Sequence, residues 1–250
     1  MESMEFILME NTKGYLTRIC GKERSIGGFD ITETPFPHQA SLRTFGHHIC
    51  SGTIIDSKHI LTSAKCLLGI LGDIVDDLTV VTGTNNLVGG QGNQHYVDKI
   101  FIHENYDGQF RGPNGNNNIA IVRLTDDITF NNHQNYISLP NNKLLPNTIA
   151  KISGWNFFNY PVVVGNMVQQ TIQIETVENN NCHKNNGLSC AIYKDKINGC
   201  IENDYGSALV SDGILIGFTI KELPCDIKYP IAFVDVFPYV DWIKNKINNP

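Results

Sequence analysis

Seven cysteines are the residues of this 250-residue sequence whose type and spacing most clearly imply chemistry. They are Cys20, Cys50, Cys66, Cys182, Cys190, Cys200 and Cys225. None of them forms the close Cys-x-x-Cys pair that is typical of a zinc ribbon or a thioredoxin-like redox site. The cysteines therefore predict disulfides, and disulfides predict a protein that is secreted into the oxidising extracellular space.

Histidine is the other residue type that commonly binds metal ions. His47 and His48 are adjacent, but neighbouring residues of a strand point to opposite faces, so the two rings cannot hold one ion. We therefore expect no metal site and no cofactor.

The elements that must position any site are mostly β-strands. Short apolar runs separated by turn residues, several alternating apolar with polar residues, predict strands; they lie at 40–42, 53–55, 59–62, 78–82, 119–124, 171–176 and 213–218. Only the segment 239–247 has helical spacing, with apolar residues at 240, 243 and 247 and Pro238 near its start. The pattern predicts an all-β fold followed by one terminal helix.

Composition excludes two classes of partner. Lys and Arg number 19 against 25 Asp and Glu, which gives a net charge of −6, and no basic run is present, so nucleic acid is not expected as a partner. The longest nearly apolar stretch, 66–72, is far shorter than the roughly 18 residues of a membrane-spanning helix. We expect a monomer that binds neither nucleic acid nor membrane.

The N-terminal segment differs in texture from the remainder of the chain. Residues 1–24 are polar and irregular and end in Lys22-Glu23-Arg24, where a trypsin-like protease could cut. The apolar patch at 6–9 is too short and too closely flanked by glutamates for a signal peptide, so we expect the secretion signal to have been removed. The predicted division is a pro-segment over 1–24 and a single domain over 25–250.

Four segments, taken in order, resemble the trypsin and chymotrypsin family of serine proteases: residues 24–28 its activation site, 48–66 the strand pair before its histidine, 117–124 the segment bearing its aspartate, and 200–209 the segment bearing its nucleophile. The resemblance implies two antiparallel six-stranded β-barrels with a cleft between them and a C-terminal α-helix. It also implies the disulfides Cys50–Cys66, Cys182–Cys190 and Cys200–Cys225, which leaves Cys20 without a partner.

The family's serine, histidine and aspartate act as nucleophile, general base and orienting carboxylate. The resemblance places Tyr205, Lys65 and Asn118 at these positions. A lysine ammonium, whose ordinary pKa is about 10.4, cannot accept a proton at neutral pH, and an amide has no charge to stabilise an imidazolium. A tyrosine ring would also occupy the space of the scissile carbonyl. We predict a pseudoprotease with no catalytic residue, and thus no enzyme.

Residues around the cleft also depart from the family pattern. Asn203 stands where a glycine amide would donate to the oxyanion, Lys221 and Glu222 lie in the segment that pairs with substrate, and Ile231 replaces a glycine that keeps the specificity pocket open. We predict that these side chains fill the cleft. The activation site would use Arg24, Ser25 and Asp204, and Ser25 replaces the branched aliphatic residue that is normally inserted after cleavage, so we expect an impaired switch.

The loss of all three catalytic residues, the asparagine-rich composition and the Ile-Gly-Gly-Phe start resemble the inactivated serine protease paralogues of the scabies mite, relatives of mite group 3 allergens. That resemblance implies a secreted protein that meets host plasma proteins, inhibits complement by binding its components and so serves immune evasion. Two alternatives remain open. One is a residual or altered hydrolase that uses Lys65, Tyr205 or Ser207; the other is a decoy for protease inhibitors.

Overall fold

Two antiparallel β-barrels account for nearly all the strands of the protein. The structure is a computed structural model, and it describes residues 29–30, 36–68, 77–87, 92–106, 108, 117–155, 169–178, 187–194, 205–220 and 230–249. The predicted pro-segment over 1–24 lies outside these described residues.

The first barrel is a closed sheet in the order β2-β3-β4-β7-β6-β5. Its strands are β2 (Gln39–Thr44), β3 (His47–Ile54), β4 (His59–Thr62), β5 (Leu78–Thr82), β6 (Asn93–Ile102) and β7 (Ala120–Leu124). Every pairing in it is antiparallel. Closure leaves no edge strand to pair with another chain.

The second barrel contains the six strands β8 (Ile149–Trp155), β9 (Gln169–Val177), β10 (Leu188–Tyr193), β11 (Ala208–Ser211), β12 (Ile214–Thr219) and β13 (Ile231–Asp235). They follow the order β9-β10-β13-β12-β11-β8, and the pairing of β8 with β9 closes the ring. The short strand β1 (Phe29–Asp30) pairs with β9. The predicted all-β fold with two six-stranded barrels is confirmed.

Successive side chains along the central strands alternate between two faces and so pack in different hydrophobic cores. On β7, Val122 packs inside the first barrel, whereas Ile121 packs in a cluster that also contains Phe218 and Val234 of the second barrel. On β13, Phe233 lies in a third cluster, made only of second-barrel residues and Leu144. Because both faces of such strands are buried, their sequence is a nearly continuous apolar run with no polar face.

Helical structure is limited to short elements among the described residues. α1 (Lys65–Leu68) follows β4, and a 3₁₀ turn (Phe237–Tyr239) leads into α2 (Val240–Asn248). The proline of the 3₁₀ turn lies at its start, and Ile243 is the fully buried residue of α2. The predicted terminal helix is therefore confirmed, with its start one residue later. No described helix is long and apolar enough to cross a membrane.

One predicted disulfide is present in the described part of the chain. Cys50 of β3 and Cys66 of α1 are bonded, with 6.1 Å between their Cα atoms. Cys190 is also disulfide-bonded, but its predicted partner, Cys182, lies outside the described residues. Cys20, Cys200 and Cys225 lie outside them as well, so the Cys200–Cys225 disulfide and an unpaired Cys20 stay predictions.

Buried polar side chains join the two barrels. Ser153 of β8 donates a hydrogen bond of 3.0 Å to the side-chain oxygen of Gln39 on β2. The ring of His48 on β3 packs edge-on against Trp155 of β8, with 5.4 Å between their centres, and the indole N–H donates to the carbonyl of Asn85. These contacts fix how the barrels face each other, and hence the shape of the cleft.

Two buried histidines should make the fold sensitive to acid. Burial lowers the pKa of His38 to about 4, and burial together with the nearby charge of Arg43 lowers that of His48 to about 3. The unfolded chain binds protons near pH 6.5 and the folded chain does not, so stability falls as pH drops below about 6.5. By pH 4 each of these histidines should have lowered the free energy of unfolding by on the order of 3 kcal/mol.

The free energy of unfolding, measured by urea denaturation between pH 7 and pH 4, tests this. His48→Gln should flatten the dependence on pH, whereas His47→Gln, at an exposed neighbouring position, should leave it unchanged. Equal slopes for both variants would show that the buried ring does not control acid stability.

Candidate active site

Three loops of the two barrels bring the predicted triad positions together. Lys65 begins α1 three residues after the end of β4, and Asn118 lies two residues before β7, both in the first barrel. Tyr205 lies in the turn that precedes β11 of the second barrel. The resemblance placed these residues at one site, and the structure places all three side chains in one connected set of contacts.

The contact between Lys65 and Tyr205 spans the cleft between the barrels. The ammonium Nζ of Lys65 donates a hydrogen bond of 3.1 Å to the phenol oxygen of Tyr205, and it lies 4.6 Å from the centre of the same ring. The ring thus offers the cation both a lone pair and an electron-rich face. An ammonium has three donors and no acceptor, so Lys65 is the donor and the phenol oxygen the acceptor in this contact.

The side-chain oxygen of Asn118 is a hydrogen-bond acceptor at this site. It accepts hydrogen bonds from the backbone N–H of Lys65 at 2.9 Å and from the hydroxyl of Ser63 at 2.8 Å. Only 2% of Asn118 is exposed. Both donors are fixed in a largely dry environment, and the amide satisfies them without supplying a charge.

The turn that carries Tyr205 packs directly on the first barrel. The backbone N–H of Ser51 on β3 donates to the carbonyl of Tyr205 at 2.8 Å. Gly206 has φ +81°, and a Cβ there would lie 2.1 Å from the Ser51 carbonyl oxygen. Only glycine permits this backbone conformation at so close an approach, so the turn is held in one position against β3.

Ser207 lies next in the chain but has no access to solvent. It is 0% exposed, its N–H donates to the hydroxyl of Thr219 at 3.0 Å, and its carbonyl accepts from the Thr219 N–H. Its own hydroxyl has no hydrogen-bond partner among the described residues. A serine in this position cannot reach a substrate carbonyl without a rearrangement of the turn.

The other predicted site residues fall into two groups. Ile231 begins β13, is 1% exposed and packs among the core residues of the second barrel, opposite Ala191. The remaining positions of the cleft and of the activation site lie outside the described residues; they are Arg24, Ser25, Asn203, Asp204, Lys221 and Glu222. Obstruction of the cleft and an impaired switch therefore stay predictions.

Sequence reasoning missed three small polar residues that position the site. Ser63 shares the acceptor of Lys65, while Thr62 donates to the carbonyl of Ser51 at 2.8 Å, beside the Gly206 turn. All three residues lie inside segments that carry the family resemblance, which was the available signal. Within the described residues, no group of three His, Cys, Asp or Glu side chains is placed to hold a metal ion.

Removal of the Asn118 amide should destabilise the protein. In Asn118→Ala the part-buried N–H of Lys65 and the buried hydroxyl of Ser63 lose their acceptor, and unsatisfied buried groups cost about 1–3 kcal/mol each. We expect the free energy of unfolding to fall by about 2 kcal/mol or more. Urea denaturation at pH 7 measures it.

Two variants serve as controls for this prediction. Asn118→Asp keeps an acceptor oxygen in place and should retain most of the stability, and Ser63→Ala removes one donor and should cost about 1 kcal/mol. A loss below about 0.5 kcal/mol for Asn118→Ala, the level of an ordinary surface change, would contradict the role given to the amide.

Comparison with known proteins agrees with this architecture. Residues 25–243 match the family model described as Trypsin. Trypsin I-P38 of Gallus gallus is 26% identical over 241 residues, which cover 91% of this chain and 90% of that protein. Mouse neuropsin, a serine protease, has a similar structure with a TM-score of 0.74, 21% identity and coverage of 88% of this chain and 98% of its own.

Human heparin binding protein is also similar in structure, with a TM-score of 0.76 and 20% identity over 90% of this chain and 97% of that one. These two structural likenesses concern the fold, whereas the family model spans most of the sequence, including Lys65, Asn118 and Tyr205. The barrel order and the Cys50–Cys66 disulfide agree with this match, and the chain belongs to the trypsin family.

Proposed function

We propose that this chain is a catalytically inactive trypsin homologue that acts as a secreted binding protein and inhibits host complement. The observation that carries the first part is the 3.1 Å contact between the Lys65 ammonium and the Tyr205 phenol. It occupies the positions where the family's base and nucleophile stand. A cation that donates to a phenol replaces a neutral imidazole that accepts from a serine.

The surroundings of that contact support inactivity. Asn118 gives its oxygen to two fixed donors and has no negative charge to orient or stabilise a protonated base. Ser207, the nearest serine along the chain, is fully buried. An intact oxyanion hole without its triad leaves only about 10³ to 10⁴ of rate enhancement over water, and the resemblance places Asn203 in that hole.

A binding role follows from a fold that is kept while its chemistry is replaced. Buried cores, interbarrel hydrogen bonds and a disulfide all persist in the described part of the chain. The disulfide favours an extracellular setting. One protein of similar fold is named for binding heparin, although a net charge of −6 makes a polyanion an unsuitable partner here.

The choice of complement rests on the resemblance to the scabies mite paralogues. Those proteins combine the loss of all three catalytic residues with secretion into host tissue. On this proposal the partner is a complement component, and the bound component stays uncleaved.

A residual hydrolase is the second candidate, and the contact between Lys65 and Tyr205 is the observation that favours it, because it brings an amine and a hydroxyl together at the positions of the family's base and nucleophile. A fluorophosphonate probe distinguishes the candidates. Labelling at Tyr205 or Ser207 would support the hydrolase, and an unlabelled folded protein would support the binding protein.

Catalytic inactivity predicts that the protein has no turnover. The chain should cleave no peptide or ester substrate, and the triple variant Lys65→His, Asn118→Asp, Tyr205→Ser should remain well below an active trypsin, because Glu222 is predicted to obstruct the segment that pairs with substrate. Amidase assays on a panel of chromogenic peptides measure this. A triple variant within about tenfold of an active trypsin would show that the cleft is open.

Complement inhibition predicts a dose-dependent effect of the protein in serum. Folded protein added to human serum should reduce complement-mediated lysis of red cells with increasing dose, and the complement components should stay intact on gels. Tyr205→Ala should inhibit equally well, since no chemistry is required, whereas reduced and alkylated protein should not inhibit. Undiminished lysis at a molar excess over every component would refute complement inhibition, and cleaved components would refute inactivity.

A further inference from the structure

A groove on the second barrel lies outside the site described above. Its two sides are the segment 140–148, which leads from the first barrel to the second, and the hairpin between β11 and β12; Asp235 and Phe237 also line it. The cavity measures about 260 Å³. Small-molecule sites usually measure about 300–1,000 Å³, so this groove matches a single side chain better than a whole ligand.

The walls of the groove are mostly apolar. Leu144 and Ile216 are part of or packed against the second-barrel core, and the rim carries the exposed side chains of Leu145 and Ile214. Ile214 follows the two-residue turn Asp212-Gly213, in which both residues have positive φ, 48° and 75°. Such turns match the twist of the flanking strands, so the rim is held in place.

One of the charged residues of this lining is buried. Asp235 is 7% exposed, and its carboxylate accepts hydrogen bonds from the backbone N–H of Phe237 at 3.0 Å and from the hydroxyl of Ser189 at 3.3 Å. Burial raises its pKa, and these two bonds and the charge of Lys143 oppose that effect. Among the ion pairs of the described residues, none involves Asp235.

A buried carboxylate of this kind is under-compensated. Buried charges are normally paired with a cation or a metal, and both donors to Asp235 are neutral. Each carboxylate oxygen has about two acceptor directions, and each has used one. The group therefore keeps capacity for about two further hydrogen bonds, and it lines the groove.

We propose that this groove is the docking site for an arginine side chain of a partner protein. The guanidinium would pair with Asp235, and the aliphatic stem would lie on Ile214 and Ile216. Arginine suits the site better than lysine because its planar fork bonds both oxygens of a carboxylate at once. Asp212 on the rim and the net charge of −6 further favour a basic partner.

Lys143 supplies a specific check on this proposal. It is exposed, lines the groove and already acts on Asp235 through its charge without reaching ion-pair distance. Its charge therefore competes with an incoming guanidinium. Removal of Asp235 and removal of Lys143 should change the affinity in opposite directions, which general loss of structure cannot reproduce.

The test is a titration of the full ¹⁵N-labelled chain with N-acetyl-arginine amide, followed by NMR. The amides of Ile214 and Asp235 should shift saturably, and N-acetyl-citrulline amide, the neutral isostere, should have little effect. Asp235→Asn should weaken binding about fivefold or more. Lys143→Ala should strengthen it about twofold, and Asp77→Asn, an exposed carboxylate on the first barrel, should change nothing.

Saturable shifts of equal size with the citrulline compound, no saturable shift with the arginine compound, or an unchanged affinity in folded Asp235→Asn would each overturn the proposal. If Asp235→Asn does not fold, Ile214→Lys places an ammonium in the groove from an exposed position and should abolish the shifts. Undiminished binding to that variant would equally overturn it. None of these outcomes depends on complement inhibition or on the absence of catalysis.

Discussion

The approach of the Tyr205-Gly206 turn to strand β3 is the constraint on which the rest of the site depends. The Ser51 carbonyl is so close to Gly206 that no side chain fits there, and the Ser51 N–H holds the Tyr205 carbonyl. This single contact joins a loop of the second barrel to the wall of the first. Because the turn is fixed, the phenol of Tyr205 must lie over the start of α1, where it meets Lys65.

The Asn118 amide shows that two tasks of this position are separable. One task is to accept hydrogen bonds from the backbone of Lys65 and from Ser63, and any side-chain oxygen of suitable shape performs it. The other is to supply a negative charge beside a protonated base. An amide oxygen still accepts these hydrogen bonds, but a neutral amide supplies no negative charge. The backbone at this site can thus be held by hydrogen bonding without a charged side chain.

The sequence predicted seven of the strands, several of which are buried or alternate clearly, but it missed β8, β10, β11 and β13, although many of their residues are buried. The limits of β4 and β5 match the predicted 59–62 and 78–82, and the run at 119–124 marks β7 because both of its faces are apolar. Strand β6 was missed, since most of its ten residues are at least partly exposed and half of its pattern is polar. Its position is imposed by pairing with β5 and β7, which no local pattern encodes.

The candidate site was predictable only through the family resemblance. Nothing in the spacing of Lys65, Asn118 and Tyr205 brings residues so far apart in the chain together, and composition does not mark them. Contacts between the barrels, such as Ser153 with Gln39, were also beyond prediction. They join polar residues on strands of different barrels, and a single sequence contains no signal of which strands will face each other.

The bond between Cys50 and Cys66 has a consequence for how position 65 can vary. It ties α1 to β3 immediately after Lys65, while Asn118 holds the Lys65 N–H from the other side. The main chain at position 65 is therefore anchored independently of the side chain it bears. The side chain at position 65 can therefore be substituted without a change in the main chain that carries it.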